Sequence, residues 1–334
     1  MRDWAQVEPY LRRMSETDGI TEDHLWSMRE RSGTEGTDPG KLTDESVDSW
    51  SRFRKGETLT LDDKSRLEAI VIPNGLRPSF DIQDGGFPDL PIPWEPLNAH
   101  RPFLNSCIRG IGRLNVPGHA TLQYAGTAFV VGERLLLTNR HVAEAFCQTG
   151  GSNLVFTPGI TPSVDMKQEV GSPSAEIIHV TKPVLILPDW DAALFQIDAM
   201  PNGAAPLKLA SVPPTNASGR LATIIGYPAL DTRGSTEEIL QQIQIFRAIF
   251  DKKRLQPGRL LGYRQAVSFG ASVNALAHDC STLGGNSGST VIDVEGETIV
   301  GLHFGGDYLV ANYAVPSWEL AGHQRLRDEG VLFT

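Results

Sequence analysis

The first seventy residues place apolar side chains at the three- and four-residue intervals of a helix. The positions with this spacing are Trp4, Val7, Leu11 and Met14 and, after Thr43, Val47, Trp50 and Arg54. Thr60 and Asp63 are spaced as a variant capping box, which marks a helix start. The pattern predicts a small helical segment over residues 1–71, whose apolar stripes form its own core or, alternatively, a binding face.

Prolines dominate the next stretch. Six of them lie between residues 72 and 99, at positions 73, 78, 88, 91, 93 and 96. Proline fixes φ and has no N–H to donate, so this density disfavours helices and sheets. We therefore expect an extended linker over residues 72–103 that runs along the surface.

From residue 104 the chain changes to short runs rich in Val, Ile, Leu and Thr. Such runs include Thr127–Val131, Leu135–Thr138, Val184–Leu187 and Leu221–Ile225. Glycines and prolines separate them, and the chain holds 33 Gly and 22 Pro. This pattern is typical of a mainly β fold, either a barrel or a sandwich.

Residues 231–262 interrupt this rhythm. Polar positions such as Glu237 and Gln241 alternate with apolar ones, which predicts strands joined by a long loop. The basic triplet at 252–254 that follows is expected to be a solvated turn.

Charge narrows the range of partners. With 40 acidic and 30 basic residues the net charge is −10, which disfavours nucleic acid because phosphate binding needs clustered Lys and Arg. No apolar run approaches the ~20 residues of a membrane helix, and no apolar leader follows Met1. We therefore expect a cytoplasmic protein with no nucleic-acid or membrane partner, although a leader already removed fits the same sequence.

The three cysteines are widely spaced along the chain. Cys107, Cys147 and Cys280 include no close pair. Their odd number and spacing predict neither a disulfide framework nor a zinc site.

Three segments carry groups suited to acyl transfer, which needs a hydroxyl nucleophile, a base, a carboxylate and donors for an oxyanion. His141 follows the predicted strand that ends at Thr138, and Asp191 stands directly before an apolar run. The glycine-rich segment 283–289 surrounds Ser287, where backbone N–H groups can approach its hydroxyl. Asp189 is a second candidate for the carboxylate.

These segments together resemble the trypsin-like serine peptidases, most closely the bacterial glutamyl endopeptidase branch. The order His141, Asp191, Ser287 is the family's order, and the likeness spans residues 104–325, including 226–228 and 300–306. The resemblance implies two six-stranded antiparallel β-barrels of the chymotrypsin type. Residues 104–205 would carry His141 and Asp191, and residues 206–334 would carry Ser287.

The resemblance also implies the roles of the site residues. His141 would act as general base and then acid, Asp191 would orient it, and Ser287 would be the nucleophile. The N–H groups of Gly285 and Ser287 would form the oxyanion hole. Asp191 is preferred to Asp189 because an apolar strand follows it directly, as in the family.

Substrate-binding positions are carried over in the same way. Thr282, His303 and Gly305 match the pocket of the glutamyl endopeptidases, which implies a preference for Glu over Asp before the cut bond. No metal or organic cofactor is implied, and water is the only cosubstrate. The sequence departs from the digestive enzymes at Asn286, where they have an aspartate, and at Ser289, which replaces a glycine.

We therefore predict a serine endopeptidase whose substrate is a polypeptide. Residues 1–95 would regulate it or recruit a protein partner. Two alternatives are an esterase with the same triad and a catalytically silent module that only displays the helical segment.

Overall fold

The computed structural model describes residues 12, 44–60, 63, 77–150, 153–187, 189–232, 236–268, 271–307 and 311–334. The predicted stripe at Trp4, Val7, Leu11 and Met14 lies outside these residues. The chain divides into two units, one comprising residues 1–78, 89–99 and 232–248 and the other comprising the remainder. No helix in the described ranges is long and apolar enough to cross a bilayer.

Helix α1, Asp44–Arg54, belongs to the first unit. Val47, Trp50 and Phe53 are buried at helical spacing, and Trp50 stacks on Phe53 with ring centroids 5.7 Å apart. The stripe continues through Phe53 and leaves Arg54 exposed. Phe53, one position before Arg54, is therefore the third buried apolar residue of the stripe.

Thr60 and Asp63 form the predicted capping box. The Asp63 N–H donates to Thr60 Oγ1 at 3.1 Å, while the Thr60 N–H donates to Asp63 Oδ2 at 3.0 Å. The buried Asp63 also accepts hydrogen bonds from Ser49 and Arg52 of α1. These bonds tie Asp63 to α1.

The stretch predicted as strands and a long loop contains a helix. The helix spans Thr236–Phe246 (α4) and lies in the first unit. For this helical part the prediction was wrong, because its apolar residues also recur at helical spacing and a short apolar run does not distinguish the two periods. Residues 254–262 do lie in a strand.

The first barrel lies in the second unit and is a closed ring of six antiparallel strands. Numbered in chain order, they are β2 (Ile111–Asn115), β3 (Tyr124–Gly132), β4 (Leu135–Thr138), β7 (Ser163–Asp165), β8 (Ile177–Ile186) and β9 (Ala193–Ile197). Around the ring their order is β2-β3-β4-β9-β8-β7. The core is apolar, with Phe146 and Phe195 packed at 5.3 Å between ring centroids.

Shorter elements accompany this barrel. They are helices α2 (Arg101–Arg109) and α3 (Arg140–Glu144) and the hairpin β5 (Cys147–Gly150) and β6 (Asn153–Phe156). Helix α3 directly follows β4, so the first barrel places residue 141 at a strand end.

The second barrel is also antiparallel. Its strands are β10 (Leu221–Gly226), β11 (Arg254–Ser268), β12 (Ala271–His278), β13 (Thr290–Asp293), β14 (Thr298–Asp307) and β15 (Ala311–Pro316). The order β11-β10-β13-β14-β15-β12 closes through a β11–β12 pairing. Helices α5 (Ser317–Ala321) and α6 (Gln324–Asp328) follow. The predicted mainly β, double-barrel fold is confirmed.

The proline-rich stretch contains more regular structure than an extended linker. Strand β1, Phe80–Asp81, pairs with the start of β11, and a 3-10 helix spans Glu95–His100. The Val170 N–H donates to the Ile82 carbonyl at 3.0 Å. Prolines are tolerated here because β1 is only two residues long and lies between Pro78 and Pro88. The domain boundaries given above stay a prediction.

The basic triplet at 252–254 is not a solvated turn. Lys253 and Arg254 are fully buried, and their charges pair with Glu169 at 3.3 Å and Asp81 at 3.0 Å. Burial lowers the pKa of Lys253 to about 8, although Glu169 opposes the shift. A buried charge must be paired, and the acidic partners lie far away in sequence, so the pattern of the triplet alone could not reveal them.

Candidate active site

The nucleophile loop, residues 279–289, connects β12 to β13 and carries Ser287. Two of its glycines have left-handed backbones, Gly285 with φ +82° and Gly288 with φ +89°. A Cβ on Gly288 would lie 1.9 Å from the Thr127 carbonyl oxygen, and one on Gly285 would lie 2.3 Å from the Tyr227 carbonyl oxygen. Glycine is therefore required at both positions, and the turn leaves Ser287 partly exposed.

His141 and Asp191 contact each other at two points. The His141 Nδ1 lies 2.6 Å from Asp191 Oδ2, and the His141 backbone N–H donates to Asp191 Oδ1 at 3.0 Å. The side chain of Asp191 is only 4% exposed, whereas that of His141 is 39% exposed. The buried carboxylate thus fixes the ring orientation while the ring remains accessible.

The backbone of Asp191 is also held in place. Buried Asn139, two residues before His141, donates from Nδ2 to the Asp191 carbonyl at 2.8 Å. Asp189, the other carboxylate considered, is exposed. The structure therefore brings Asp191, and not Asp189, against the imidazole.

The nucleophile loop is docked on the first barrel. The Thr127 N–H of β3 donates to the Ser287 carbonyl at 2.8 Å, and the Thr127 hydroxyl donates to the Gly285 carbonyl at 2.8 Å. Ser287 and His141 both lie in the described part of the chain and are not hydrogen-bonded to each other in this conformation. Such contacts often tighten only when substrate binds.

Two N–H groups of the loop are available to a ligand. The Gly284 carbonyl accepts a hydrogen bond from the Ala229 N–H at 2.7 Å. In a trans peptide the N–H points opposite to the C=O, so the Gly285 N–H points away from Ala229. Within the described ranges, neither this N–H nor that of Ser287 has an acceptor.

His303, on β14, is 2% exposed and contacts a second buried histidine. The His278 Nε2 lies 3.2 Å from His303 Nδ1. Burial lowers the pKa of His278 to about 4. The pKa of His303 is held well below its usual value, first by burial and then by the neighbouring His278 and His141. Both rings are therefore neutral at pH 7.

The other two predicted pocket residues lie in different surroundings. The Thr282 hydroxyl donates to Asn312 Oδ1 at 2.7 Å, and Asn312 in turn donates to the Cys280 carbonyl. A Cβ on Gly305 would meet nothing within 4 Å, so the chain is open to an approaching ligand there.

A groove of about 400 Å³ extends from Gly305. Phe304, Gly306 and Tyr313 line it together with residues from the adjoining ends of β11 and β12, among them Val267, which is 74% exposed. This groove could not be predicted from the sequence, because it depends on how the β11–β12 hairpin lies relative to β14. The indication that the sequence holds for this groove is Val267, an apolar residue at a position that faces solvent.

Sequence reasoning also missed the residues that hold the site in place, Thr127 and Asn139. Thr127 lies within β3 between Gly126 and Ala128, and Asn139 directly follows β4; many polar residues with a purely structural role lie in such places. Among the residues described, no cluster of three or more His, Cys, Asp or Glu side chains is arranged to hold a metal ion.

Comparison with known proteins identifies the family. The sequence model described as trypsin-like peptidase domain matches residues 126–302, which is more than half of the chain. The chain belongs to the trypsin-like peptidases. A probable serine protease of Lysobacter enzymogenes is 30% identical over 296 residues, covering 79% of this chain and 76% of the relative. The protein is accordingly a trypsin-like serine endopeptidase, and its substrate is a polypeptide.

Solved structures of trypsin-like peptidases align less closely. The active form of the Rv3671c protease from M. tuberculosis has 18% identity and a TM-score of 0.47, covering 74% of this chain and 92% of that one. Deg5 has 17% identity and a TM-score of 0.48, covering 72% and 97%.

Proposed function

We propose that this trypsin-like peptidase cleaves peptide bonds with Ser287 as nucleophile, His141 as base and Asp191 as the orienting carboxylate. The observation that carries the proposal is the two-point contact between His141 and buried Asp191, with the nucleophile loop anchored to the same barrel. An imidazole fixed in this way can keep its Nε2 lone pair free for the serine proton.

The reaction would proceed in two halves. Ser287 Oγ attacks the carbonyl carbon, its proton passes to His141 Nε2, and the carbonyl oxygen becomes an oxyanion that accepts from the N–H groups of Gly285 and Ser287. The C–N bond then breaks as His141 protonates the leaving amine. Water, deprotonated by His141, attacks the acyl-enzyme and releases the acid and free Ser287.

Covalent labelling tests the nucleophile. A fluorophosphonate should label the wild-type protein at Ser287, and Ser287→Ala should lose both the label and several orders of magnitude of turnover. Ser289→Ala is the matched control, because Ser289 lies in the same loop but is fully buried. Retention of substantial turnover by Ser287→Ala would refute the assignment, and matched ester and amide substrates would show which bond is preferred.

We further propose a preference for Glu over Asp before the cut bond, as in the glutamyl endopeptidase branch. The resemblance in sequence matches Thr282 and His303 to the carboxylate-binding positions of that branch, and their hydroxyl and neutral imidazole can donate hydrogen bonds to a carboxylate. Because both groups now contact Asn312 and His278, an acidic side chain would have to replace those contacts.

Peptide-library profiling tests this specificity. We expect cleavage mainly after Glu, with His303→Ala and Thr282→Val each weakening that preference more than they reduce cleavage at other residues. Cleavage mainly after Arg, Lys or large apolar residues, unchanged by His303→Ala, would exclude it.

Residues 1–95 are proposed to restrain the peptidase or to recruit a protein partner. The support is compositional, since residues 1–50 carry twelve acidic and six basic side chains. Deletion of residues 1–76 keeps β1, and it should leave a folded hydrolase with altered activity or partner binding. An insoluble product would instead make the segment part of the structural core.

A cytoplasmic location is also proposed. All three cysteines are buried thiols rather than disulfides, as expected in a reducing compartment. Fractionation of cells that express the natural protein tests it, and recovery outside the cytoplasm would contradict it.

A further inference from the structure

We propose that Thr127 is a positioning residue that sets the direction of the oxyanion-hole donor at Gly285. The inference rests on the function proposed for Ser287. Thr127 lies on β3 of the first barrel, whereas the nucleophile loop belongs to the second, so the residue would act across the junction between the barrels.

Thr127 contacts the nucleophile loop on both sides of Asn286. Its hydroxyl donates to the Gly285 carbonyl at 2.8 Å, and its backbone N–H donates to the Ser287 carbonyl at 2.8 Å. The hydroxyl also lies 3.2 Å from the Tyr227 N–H, which donates to it. Thr127 is fully buried, so water cannot easily take over these bonds.

The position of Thr127 is itself fixed. The buried Thr138 hydroxyl of β4 donates to the Thr127 carbonyl at 2.7 Å, and the same carbonyl lies against Gly288. The nucleophile loop is therefore held by a residue whose own position is fixed by the sheet of the first barrel.

Backbone geometry makes this restraint relevant to catalysis. Gly285 has φ +82° and no side chain, so the peptides on either side of it are held by hydrogen bonds rather than by a side chain of its own. The Ala229 N–H holds the preceding carbonyl, Gly284, and the Thr127 hydroxyl holds the carbonyl of Gly285. With both peptide planes held, the Gly285 N–H has one direction, which leaves it available to an oxyanion.

Loss of the hydroxyl should therefore weaken transition-state binding more than ground-state binding. A buried acceptor and a buried donor, the Gly285 carbonyl and the Tyr227 N–H, would lose their partner. The Gly285–Asn286 peptide, then held only by the bond from the Asn286 N–H to the Leu283 carbonyl at 3.2 Å, would tilt, and the adjoining peptide that carries the Gly285 N–H would shift with it. Removal of a whole oxyanion-hole donor costs about 10²- to 10³-fold in kcat, so its misorientation should cost less.

The test compares Thr127→Val, which keeps the shape and removes the hydroxyl, with Thr127→Ser, which keeps the hydroxyl. Turnover is normalised to the sites that react with a fluorophosphonate. We expect kcat of Thr127→Val to fall about 10- to 100-fold with KM little changed, and Thr127→Ser to remain close to wild type. A peptide aldehyde, whose adduct places an oxyanion in the hole, should bind Thr127→Val more weakly by a similar factor, while a product peptide should bind as before.

Thr223→Val is the matched control. Thr223 is also fully buried on a barrel strand, but its hydroxyl contacts only a neighbouring carbonyl at 3.4 Å. This variant should keep normal kcat. If Thr127→Val does not fold, Thr127→Ala replaces it in the comparison.

Three results would overturn the proposal. Normal kcat and aldehyde affinity for Thr127→Val in an active, labelled enzyme would refute the role of Thr127 and leave the proposed function intact. Equal losses in Thr127→Ser and Thr127→Val would show that the hydroxyl is not responsible. Failure of the wild-type protein to react at Ser287 would refute the proposed nucleophile and, with it, any oxyanion hole for Thr127 to position.

Discussion

The two barrels have the same number of strands and each has an apolar core, but they differ in what is buried beside that core. The first is filled by aliphatic and aromatic side chains, including Phe146 and Phe195. In the second, polar side chains are buried in and next to the nucleophile loop, beside the apolar core, among them Gln256, His278 and Asn286. The contrast suggests that the first barrel serves as a rigid support and that the second provides a binding surface whose properties depend on its buried polar groups.

The buried polar groups of the second barrel make only some of the hydrogen bonds that they can form. Gln256 Nε2 donates to Asn286 Oδ1 at 3.0 Å. Within the described part of the chain, Gln256 Oε1, Asn286 Nδ2 and Ser289 Oγ have no hydrogen-bond partner. Buried polar groups without partners cost free energy, so the structure around them is sensitive to substitution. The first barrel should therefore respond to changes in packing, and the second to changes in protonation and hydrogen bonding.

The largest expected effect is on the proposed catalytic pair, His141 and Asp191, in the first barrel. Asp191→Asn can keep the bond to the His141 N–H through its carbonyl oxygen, but it favours the wrong imidazole tautomer. We expect kcat to fall about 10³- to 10⁴-fold with little change in melting temperature. Asp189→Asn is the control and should be nearly normal, since Asp189 is exposed. A severe loss only in the Asp189 variant would transfer the role to that residue.

Packing should dominate in the first barrel's core. Phe195→Ala removes a fully buried ring that contacts Phe146 and Phe156, so the free energy of unfolding should fall by about 3–5 kcal/mol. Urea denaturation measures this, with the half-exposed Val155→Ala as control. The folded fraction of Phe195→Ala should keep its kcat, and a loss below about 1 kcal/mol would contradict the picture of a tightly packed support.

Protonation should matter in the second barrel. Burial lowers the pKa of His278 to about 4, whereas in the unfolded chain it is near 6.5, so the unfolded state binds the proton first as the pH falls. The stability that neutral His278 contributes is complete above about pH 6.5 and is lost progressively between pH 6.5 and 4. This loss is up to about 3 kcal/mol for a shift of this size.

Unfolding measured across this pH range for His278→Gln tests the effect. Its stability should vary less with pH than that of wild type, while exposed His179→Gln should behave as wild type does. An unchanged pH slope in His278→Gln would assign the acid sensitivity to other groups.

The difference between the barrels also explains what the sequence could predict. Segments with small residues around a reactive group, at His141, Asp191 and Ser287, were recognisable because strand ends and glycine turns leave local patterns. The burial of Lys253 was not, since its partner Glu169 lies 84 positions away in sequence. Thr127 was missed for the same reason, because its contacts are with a loop of the other barrel that lies far away in sequence.

The groove beside β14 gives the smallest expected effect and tests whether the second barrel serves as a binding surface beyond the pocket. Val267 is 74% exposed and lines the groove together with Phe304 and Gly305. An extended substrate with an apolar side chain two or three residues before the cut bond can cover Val267, whereas a short substrate cannot. Val267→Ser should therefore lower kcat/KM for such peptides by about 3- to 10-fold, as expected for the loss of one small apolar contact.

Short substrates should be cleaved by Val267→Ser as by wild type. The matched control is Val212→Ser, because Val212 is 68% exposed and does not line the groove. Equal kcat/KM for Val267→Ser and wild type on long apolar peptides would show that substrate does not reach the hairpin. Equal losses on long and short peptides would instead indicate that the β11–β12 hairpin supports the active site as a whole. The contrast between a barrel that is a rigid support and one that provides a binding surface would then no longer hold, because the hairpin would be part of the support.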